Sequence, residues 1–212
     1  MSALLSGVNY RAGPDRWLWS LNPTGEFSVV SIKDVAAIYG RSAPAYSFFW
    51  NNFVPKKVGI VSWRVIMERL PTRAALVARN IDIGDPSCPF CGEYDETCDH
   101  IFAACHFAQV VWLVIAQWCK IPPIIAFGLK DLLDAHVAVV GSKKKKKVFS
   151  AIFQVVIWSI WKMRNEVIFG NEYPNISKVV DESKSMSFLW IKYQLKSLDW
   201  TWNEWRNFRI AM

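Results

Sequence analysis

Four of the five cysteines lie within one short stretch, and their spacing limits how this chain can fold more than any other feature. Cys88 and Cys91 are separated by two residues, His100 follows after eight more, and Cys105 after a further four, which gives C-x2-C-x8-H-x4-C. Thiolates and imidazoles at such spacings are the donors that zinc prefers, and Cys-Pro-x-Cys-Gly is typical of a zinc-knuckle turn. The pattern predicts a closed, structural zinc site.

The spacing alone leaves the ligand set open. Cys98 and His106 are possible substitutes for His100 or Cys105, and free cysteines are also common as plain core residues. The odd cysteine count argues against a full set of disulfides, and residues 1–10 lack the basic and apolar segments of a secretory signal. We therefore expect an intracellular protein that uses its cysteines for metal.

Composition excludes two classes of protein. Hydrophobic residues make up 52% of the 212 residues, which is too much apolar surface for a disordered chain. The longest nearly apolar stretch, 148–161, has 14 residues and contains three polar ones. A membrane span needs about 18 or more, so we expect a buried helix there and no membrane association.

Periodicity predicts a mainly helical fold. Apolar residues alternate with polar ones in 17–21 and 27–29 around the turn Asn22-Pro23-Thr24-Gly25, which predicts one short N-terminal β-hairpin. Elsewhere the apolar spacing is helical. Helices are predicted from Ser31 to Gly40, on both sides of Pro55, after Thr72, and over 107–118, 129–140, 148–169 and 176–193. The predicted fold class is mainly α, with the hairpin and a small structural zinc knuckle inserted between helices.

A series of short motifs surrounds the cysteines. It runs through Trp17-x-Trp19, Gly25-x-Phe27-Ser28-Val29, Trp50, Val54-Pro55-Lys56-Lys57-Val58, Trp63-Arg64, Arg69-Leu70-Pro71-Thr72-Arg73 and Glu96-Thr97-x-x-His100-Ile101-Phe102-x-x-Cys105. Together these motifs closely resemble the reverse-transcriptase zinc-binding domain of plant LINE-type (non-LTR) retroelements, over about residues 15–115. The segment Ile157 to Phe169 is similar to one that follows the domain in those elements. Ile60-Val61-Ser62 departs from the family, which usually has an aromatic residue there.

The resemblance implies zinc bound by Cys88, Cys91, His100 and Cys105, and a supporting role in RNA-directed DNA synthesis. It predicts a tail at 1–14, the zinc-binding domain at 15–120 and a C-terminal helical region at 121–212. The chain shows neither the paired aspartates of a polymerase nor the four carboxylates of ribonuclease H. A polymerase portion of a retroelement protein is therefore an expected partner, together with RNA or DNA.

Charge divides the zinc-binding region into two parts. Residues 80–119 contain six acidic residues and no lysine or arginine, so the knuckle is a poor binder of phosphate. The basic residues precede it, and the candidates for nucleic-acid binding are Lys56, Lys57, Arg64, Arg69, Arg73 and Arg79. A solvated basic face is the alternative. The run Lys143 to Lys147 is interpreted as a solvated loop, or else as a phosphate contact or nuclear import signal.

Two functional hypotheses follow. The first is a zinc-binding fragment derived from a retroelement reverse transcriptase, with an accessory nucleic-acid-binding or scaffold role and a nuclear location. The second is a zinc-stabilised protein-interaction module, or a retroelement remnant without function. A steep dependence of nucleic-acid binding on salt would favour the first hypothesis, because neutralising phosphates releases counterions.

Overall fold

A computed structural model describes residues 17–20, 22–38, 48–124, 128–195 and 199–209, with side chains omitted at 36–38. The chain divides into two compact units, Met1–Phe48 and Phe49–Met212. The predicted domain boundaries, 15–120 and 121–212, stay a prediction. The second compact unit contains residues from both of these predicted domains. The predicted tail at 1–14 lies outside the described residues. Among the residues described, no helix has both the length and the apolarity needed to cross a membrane.

The first unit contains a turn and a helix, and the predicted β-hairpin is wrong. The turn at Asn22–Gly25 is present, with the Trp19 amide donating to the Gly25 carbonyl at 2.9 Å, but the described residues form no strand. Helix α1 spans Val29–Ile38, so only Val29 of the second apolar segment, 27–29, is helical, and residues 27 and 28 form no strand. The Ser28 hydroxyl accepts a hydrogen bond from the Ser31 amide at 3.1 Å, which favours a helix start here. Leu21 and Gly40 lie outside the described residues.

The second unit is built from seven α-helices in its described part. They are α2 (Lys56–Ile66), α3 (Arg73–Val77), α4 (His106–Cys119), α5 (Leu129–Ala138), α6 (Lys143–Gly170), α7 (Ile176–Gln194) and α8 (Trp202–Arg206). A π-helical turn, His100–Ala104, leads into α4. The Thr72 hydroxyl caps α3 as expected, accepting from the Ala75 amide at 3.3 Å. No helix precedes Pro55 within residues 48–54, contrary to expectation, and α8 was not predicted.

Helix α6 is the centre of the second unit. Its 28 residues span about 42 Å, and it packs against α2, α5 and α7, while α7 also contacts α4 and α8. All residues from Val148 to Ile157 are buried, which confirms the prediction of a central helix. The lysine run is its first turn, where a loop was expected: the Ser142 hydroxyl accepts from the Lys145 amide at 3.1 Å and starts the helix at Lys143.

Candidate metal centre

The two halves of the knuckle, defined as residues 86–105, are joined by short backbone pairing. Ser87 and Asp95 form an isolated antiparallel bridge, and the Cys88 amide donates to the Tyr94 carbonyl at 2.7 Å. The Gly92 amide closes the turn onto the Cys88 carbonyl at 2.8 Å, and Gly92 has a φ of 71°. Glycine adopts that conformation without the steric cost of a Cβ atom. The turn therefore places the thiols of Cys88 and Cys91 on the same side.

The other two donors come from the turn that enters α4. The Thr97 hydroxyl accepts from the His100 amide at 3.0 Å, and the Cys105 amide donates to the His100 carbonyl at 2.7 Å. The π-helical turn between them brings His100 and Cys105 together. Cys105 also occupies the N-cap position of α4. A helix N-terminus stabilises negative charge, so this position favours a thiolate.

The four donor atoms form one compact group that fits zinc. The thiols of Cys88, Cys91 and Cys105 and a ring nitrogen of His100 lie within 4.8 Å of one another. The Cys88 and Cys105 sulfurs are 3.9 Å apart, and Cys91 Sγ lies 3.2 Å from His100 Nε2. Zinc–sulfur bonds of about 2.3 Å in a tetrahedron place two sulfurs about 3.8 Å apart, and a sulfur and a nitrogen about 3.5 Å apart. All five cysteines are free thiols, so no disulfide competes for these sulfurs.

The surroundings of the donors shift their pKa values in different directions. A hydrogen bond between Cys88 and Cys105 raises the pKa of Cys88 and lowers the pKa of Cys105. Burial lowers the pKa of His100, which keeps the imidazole neutral and able to donate its lone pair. Zinc binds thiolates and neutral imidazole, so it would displace the proton that Cys88 holds. Four protein donors leave no open position on the metal, which is typical of a structural site.

Aromatic rings lie beside the donors of the site. Phe90, between the first two cysteines, stacks on Phe107, which follows Cys105, at a centroid distance of 4.2 Å. Tyr94 lies against the His100 ring at 5.4 Å. Apolar groups next to a metal site strengthen the electrostatic attraction between a cation and its thiolates.

The alternative donors lie outside the group. Cys98 is buried, with 5% exposure, and burial raises its pKa to about 11, which is typical of an inert core thiol. Cys119 is also buried, and its pKa is raised well above the ordinary value by burial. His106 is exposed on α4, and His136 lies on α5. Neither histidine belongs to the four-donor group.

The predicted nucleic-acid-binding residues are mostly exposed. Lys57 and Arg64 are seven residues apart on α2, so they share one face of that helix. The Lys57 ammonium lies 5.2 Å from the centre of the half-buried Trp158 ring of α6. The exposed members of the predicted set are Lys56, Lys57, Arg64, Arg69 and Arg79. Arg73 differs: it is half-buried, and its guanidinium donates to the Ser87 carbonyl at 2.9 Å.

The sequence does not predict the pairing of two charged residues, one within the knuckle and one on α6. Glu96 was counted among the acidic residues of the knuckle and Arg164 was assigned no role, yet both are buried and form an ion pair of 2.6 Å. The local signal was the place of Glu96 in the motif Glu96-Thr97-x-x-His100, whereas Arg164 stands among other polar residues of its segment, such as Lys162 and Asn165. Charged residues are rarely buried unless they are paired.

Comparisons with known proteins agree with the metal centre. Residues 27–112 match the family model described as zinc-binding in reverse transcriptase. An Arabidopsis thaliana protein named "Putative ribonuclease H protein" is 26% identical over 162 residues, covering 74% of this chain. The chain spans about a quarter of that relative's length, 26%. No solved structure matches the chain. Residues 27–112 are therefore similar to the reverse-transcriptase zinc-binding family, and this segment contains a donor set that fits zinc.

Proposed function

We propose that this chain is an accessory, zinc-stabilised part of the reverse transcriptase of a plant LINE-type (non-LTR) retroelement. The observation that carries the proposal is the closed donor group of Cys88, Cys91, His100 and Cys105, within a segment that matches this family. A closed site holds a fold together and activates no water, so the metal serves as scaffold. The proposed location is intracellular and nuclear, where such an element would meet its target DNA.

The surface proposed to contact RNA or DNA is the exposed basic face of α2. Lys57 and Arg64 lie along this face, and the Lys57 ammonium lies over the Trp158 ring. The face therefore combines positive charges with a neighbouring aromatic ring. Phosphate attracts the cations, while bases stack on aromatic rings with little dependence on sequence. The knuckle faces solvent with Glu93, Asp95 and Asp99, which would repel phosphate.

A salt titration tests this surface. Labelled single-stranded and duplex RNA and DNA would be titrated with zinc-loaded protein, with fluorescence anisotropy as the measurement, at several salt concentrations from about 50 to 200 mM. We expect Lys57→Glu with Arg64→Glu to weaken binding and to flatten the log–log salt slope by about 0.7 to 0.9 for each phosphate that the protein no longer neutralises. Neutralising Glu93 and Asp95 should leave the slope nearly unchanged.

The matched control carries the same charge change elsewhere. Lys143 and Lys144 are exposed at the start of α6, so Lys143→Glu with Lys144→Glu alters net charge equally. An equal weakening by both pairs of substitutions would mean that net charge, and not the α2 face, attracts nucleic acid. Binding by the α2 variant with the parent's affinity and slope would contradict the proposed surface.

One observation favours the second candidate function, a protein-interaction module. Large apolar side chains of the first unit are open to solvent: Trp17 is 100% exposed, Leu18 77% and Phe27 61%. Exposed apolar patches of this kind mark protein interfaces. The polymerase portion of the same element is the proposed partner for this unit. If the parent protein shows no salt-sensitive nucleic-acid binding, this candidate replaces the first.

A further inference from the structure

Glu96 differs from every other acidic residue of the region 80–119. Asp82, Asp85, Glu93, Asp95 and Asp99 are exposed, whereas the Glu96 side chain is 0% exposed. Removing a carboxylate from water is costly unless its charge is paired and its oxygens accept hydrogen bonds. The burial of Glu96 therefore points to a dedicated partner.

The partner is Arg164, which lies 68 residues further along the chain on α6. Arg164 Nε donates to Glu96 Oε1 at 2.6 Å and Arg164 Nη2 donates to Glu96 Oε2 at 2.7 Å, so the pair is bidentate. Glu96 Oε2 also accepts from the Arg73 backbone amide at 2.7 Å. The guanidinium donates further to the Pro71 carbonyl at 3.3 Å and lies 4.7 Å from the Trp161 ring. Both charges are fully partnered.

Glu96 lies in the chain between the two pairs of zinc donors. On its N-terminal side, its amide donates to the Pro86 carbonyl at 2.9 Å, which extends the pairing that holds Cys88. On its C-terminal side, Thr97 supplies the hydroxyl that accepts from the His100 amide at 3.0 Å. The Glu96 carbonyl accepts from the Ala74 amide at 3.3 Å, and so ties the knuckle to α3. Fixing Glu96 therefore fixes both halves of the donor group.

We propose that Glu96 and Arg164 are positioning residues of the zinc site, and that α6 is required for its full metal affinity although the family match ends at 112. The proposal rests on the zinc-binding part of the proposed function and is independent of nucleic-acid binding. Neither residue touches the metal. Their ion pair holds the backbone between Cys91 and His100, so that the four donors are arranged before the metal arrives.

Metal titrations of single-residue variants test the proposal. Arg164→Met removes the guanidinium and leaves Glu96 buried without its partner. Zinc affinity would be measured by competition with a chelator, and donor geometry by the absorption spectrum of the cobalt(II)-substituted protein. We expect zinc affinity to fall about 10- to 100-fold, as it does for other residues that orient metal ligands without binding the metal themselves. The cobalt spectrum should lose intensity while the helical circular dichroism is retained.

Lys162→Met is the matched control. Lys162 is two residues away on α6 and forms its ion pairs with Glu182 at 2.7 Å and Glu166 at 3.5 Å, away from the knuckle. Its removal should leave zinc affinity and the cobalt spectrum as in the parent. The rise in melting temperature on adding zinc should be preserved in Lys162→Met and reduced in Arg164→Met, a difference that a general decrease in stability would not produce.

Two further variants keep the test decisive if Arg164→Met fails to fold. Glu96→Gln combined with Arg164→Met leaves no unpaired buried charge and should fold, yet bind zinc more weakly than the parent. Arg164→Lys keeps the charge without the bidentate geometry and should bind with intermediate affinity. Parental affinity in the variants that fold would overturn the positioning role. The Cys91→Ser variant, which lacks one zinc donor, serves as the reference for lost zinc binding. If the parent protein bound no more zinc than this variant, the zinc function itself would be overturned.

Discussion

At the residue scale, His100 is the imidazole among the four zinc donors, and its protonation depends on its burial. Burial lowers the pKa of His100 from the ordinary value of 6.5. The imidazole is therefore protonated at a lower pH in the folded chain than in the unfolded chain. The stability that the neutral imidazole contributes is therefore complete above pH 6.5 and is lost as pH falls through the lowered pKa. Zinc binding responds in the same direction, because the metal needs the neutral ring.

The expected pH dependence of zinc affinity has two parts. As pH decreases through the neutral range, zinc affinity decreases, because the Cys88 thiol must release its proton when zinc binds. Below the lowered His100 pKa, one more proton is displaced on binding, so the slope of log affinity against pH should steepen by about one. Chelator competition at successive pH values measures this slope. His100→Cys retains four donors without an imidazole, and a slope that steepens equally in that variant would contradict the assignment.

At the element scale, the start of α6 combines a favourable cap with unfavourable charges. The Ser142 hydroxyl accepts from the Lys145 amide at 3.1 Å, but four lysines occupy the first turn, where the helix dipole favours negative charge. Ser142→Ala should lower the free energy of unfolding by about 1 kcal/mol. Ser142→Asp should raise it by about 0.3 to 1 kcal/mol, because the carboxylate still caps and also attracts the lysines. Urea denaturation measures both changes.

Added salt distinguishes the electrostatic part of this effect. The stabilisation by Ser142→Asp should shrink at high salt, because exposed charges are screened. Asn175 provides the control: its side chain caps α7 by accepting from the Lys178 amide at 2.9 Å, and that first turn has a single lysine. Asn175→Asp should therefore stabilise the protein less and depend less on salt. An equal salt response at both caps would mean that the lysine run has no special effect.

The elements that sequence predicts well are those determined by neighbouring residues. Thr72 caps α3, and Pro122 and Pro123 follow the end of α4 at Cys119, because capping and proline act within a few positions. The N-terminal alternation was too short to decide between strand and helix, and the Ser28 hydroxyl favours α1. The lysine run is helical because its side chains remain in or near solvent while Ser142 starts the helix.

The candidate site also has one part that neighbouring residues determine and one part that only the tertiary fold determines. The four zinc donors could be predicted because they lie within 18 residues and their spacing matches a known coordination chemistry. The ion pair of Glu96 and Arg164 could not, since Glu96 stands in the family motif Glu96-Thr97-x-x-His100 but nothing local identifies Arg164 as its partner. Only the tertiary fold brings the two residues together.

At the scale of the whole molecule, the C-terminal helix α8 completes the core. Trp205 is 0% exposed, and its indole nitrogen donates to the Lys184 carbonyl of α7 at 3.0 Å. The indole of Trp118, on α4, donates in turn to the Trp205 carbonyl at 3.1 Å and packs edge-on against the Trp205 ring. One side chain near the end of the chain thus joins α4 and α7.

Removing that side chain should therefore destabilise the entire second unit. Trp205→Ala should lower the free energy of unfolding by about 3 to 5 kcal/mol, the usual cost of deleting a buried aromatic ring. Trp202, on the same helix, is 41% exposed, so Trp202→Ala should cost about 1 kcal/mol or less. Thermal or urea denaturation of the two variants provides the comparison. Similar destabilisation at both positions would mean that α8 does not form part of the core.

The buried pair of Glu96 and Arg164 also limits which segments of this chain recombination can exchange without loss of the fold. A genetic exchange between residues 96 and 164 that joined the knuckle to an unrelated C-terminal half would leave a carboxylate inside the protein without its arginine. Such a hybrid would be selected against even with all four zinc donors intact. The knuckle and α6 should therefore pass through duplication and recombination as one cassette, and engineered grafts of this domain should carry both.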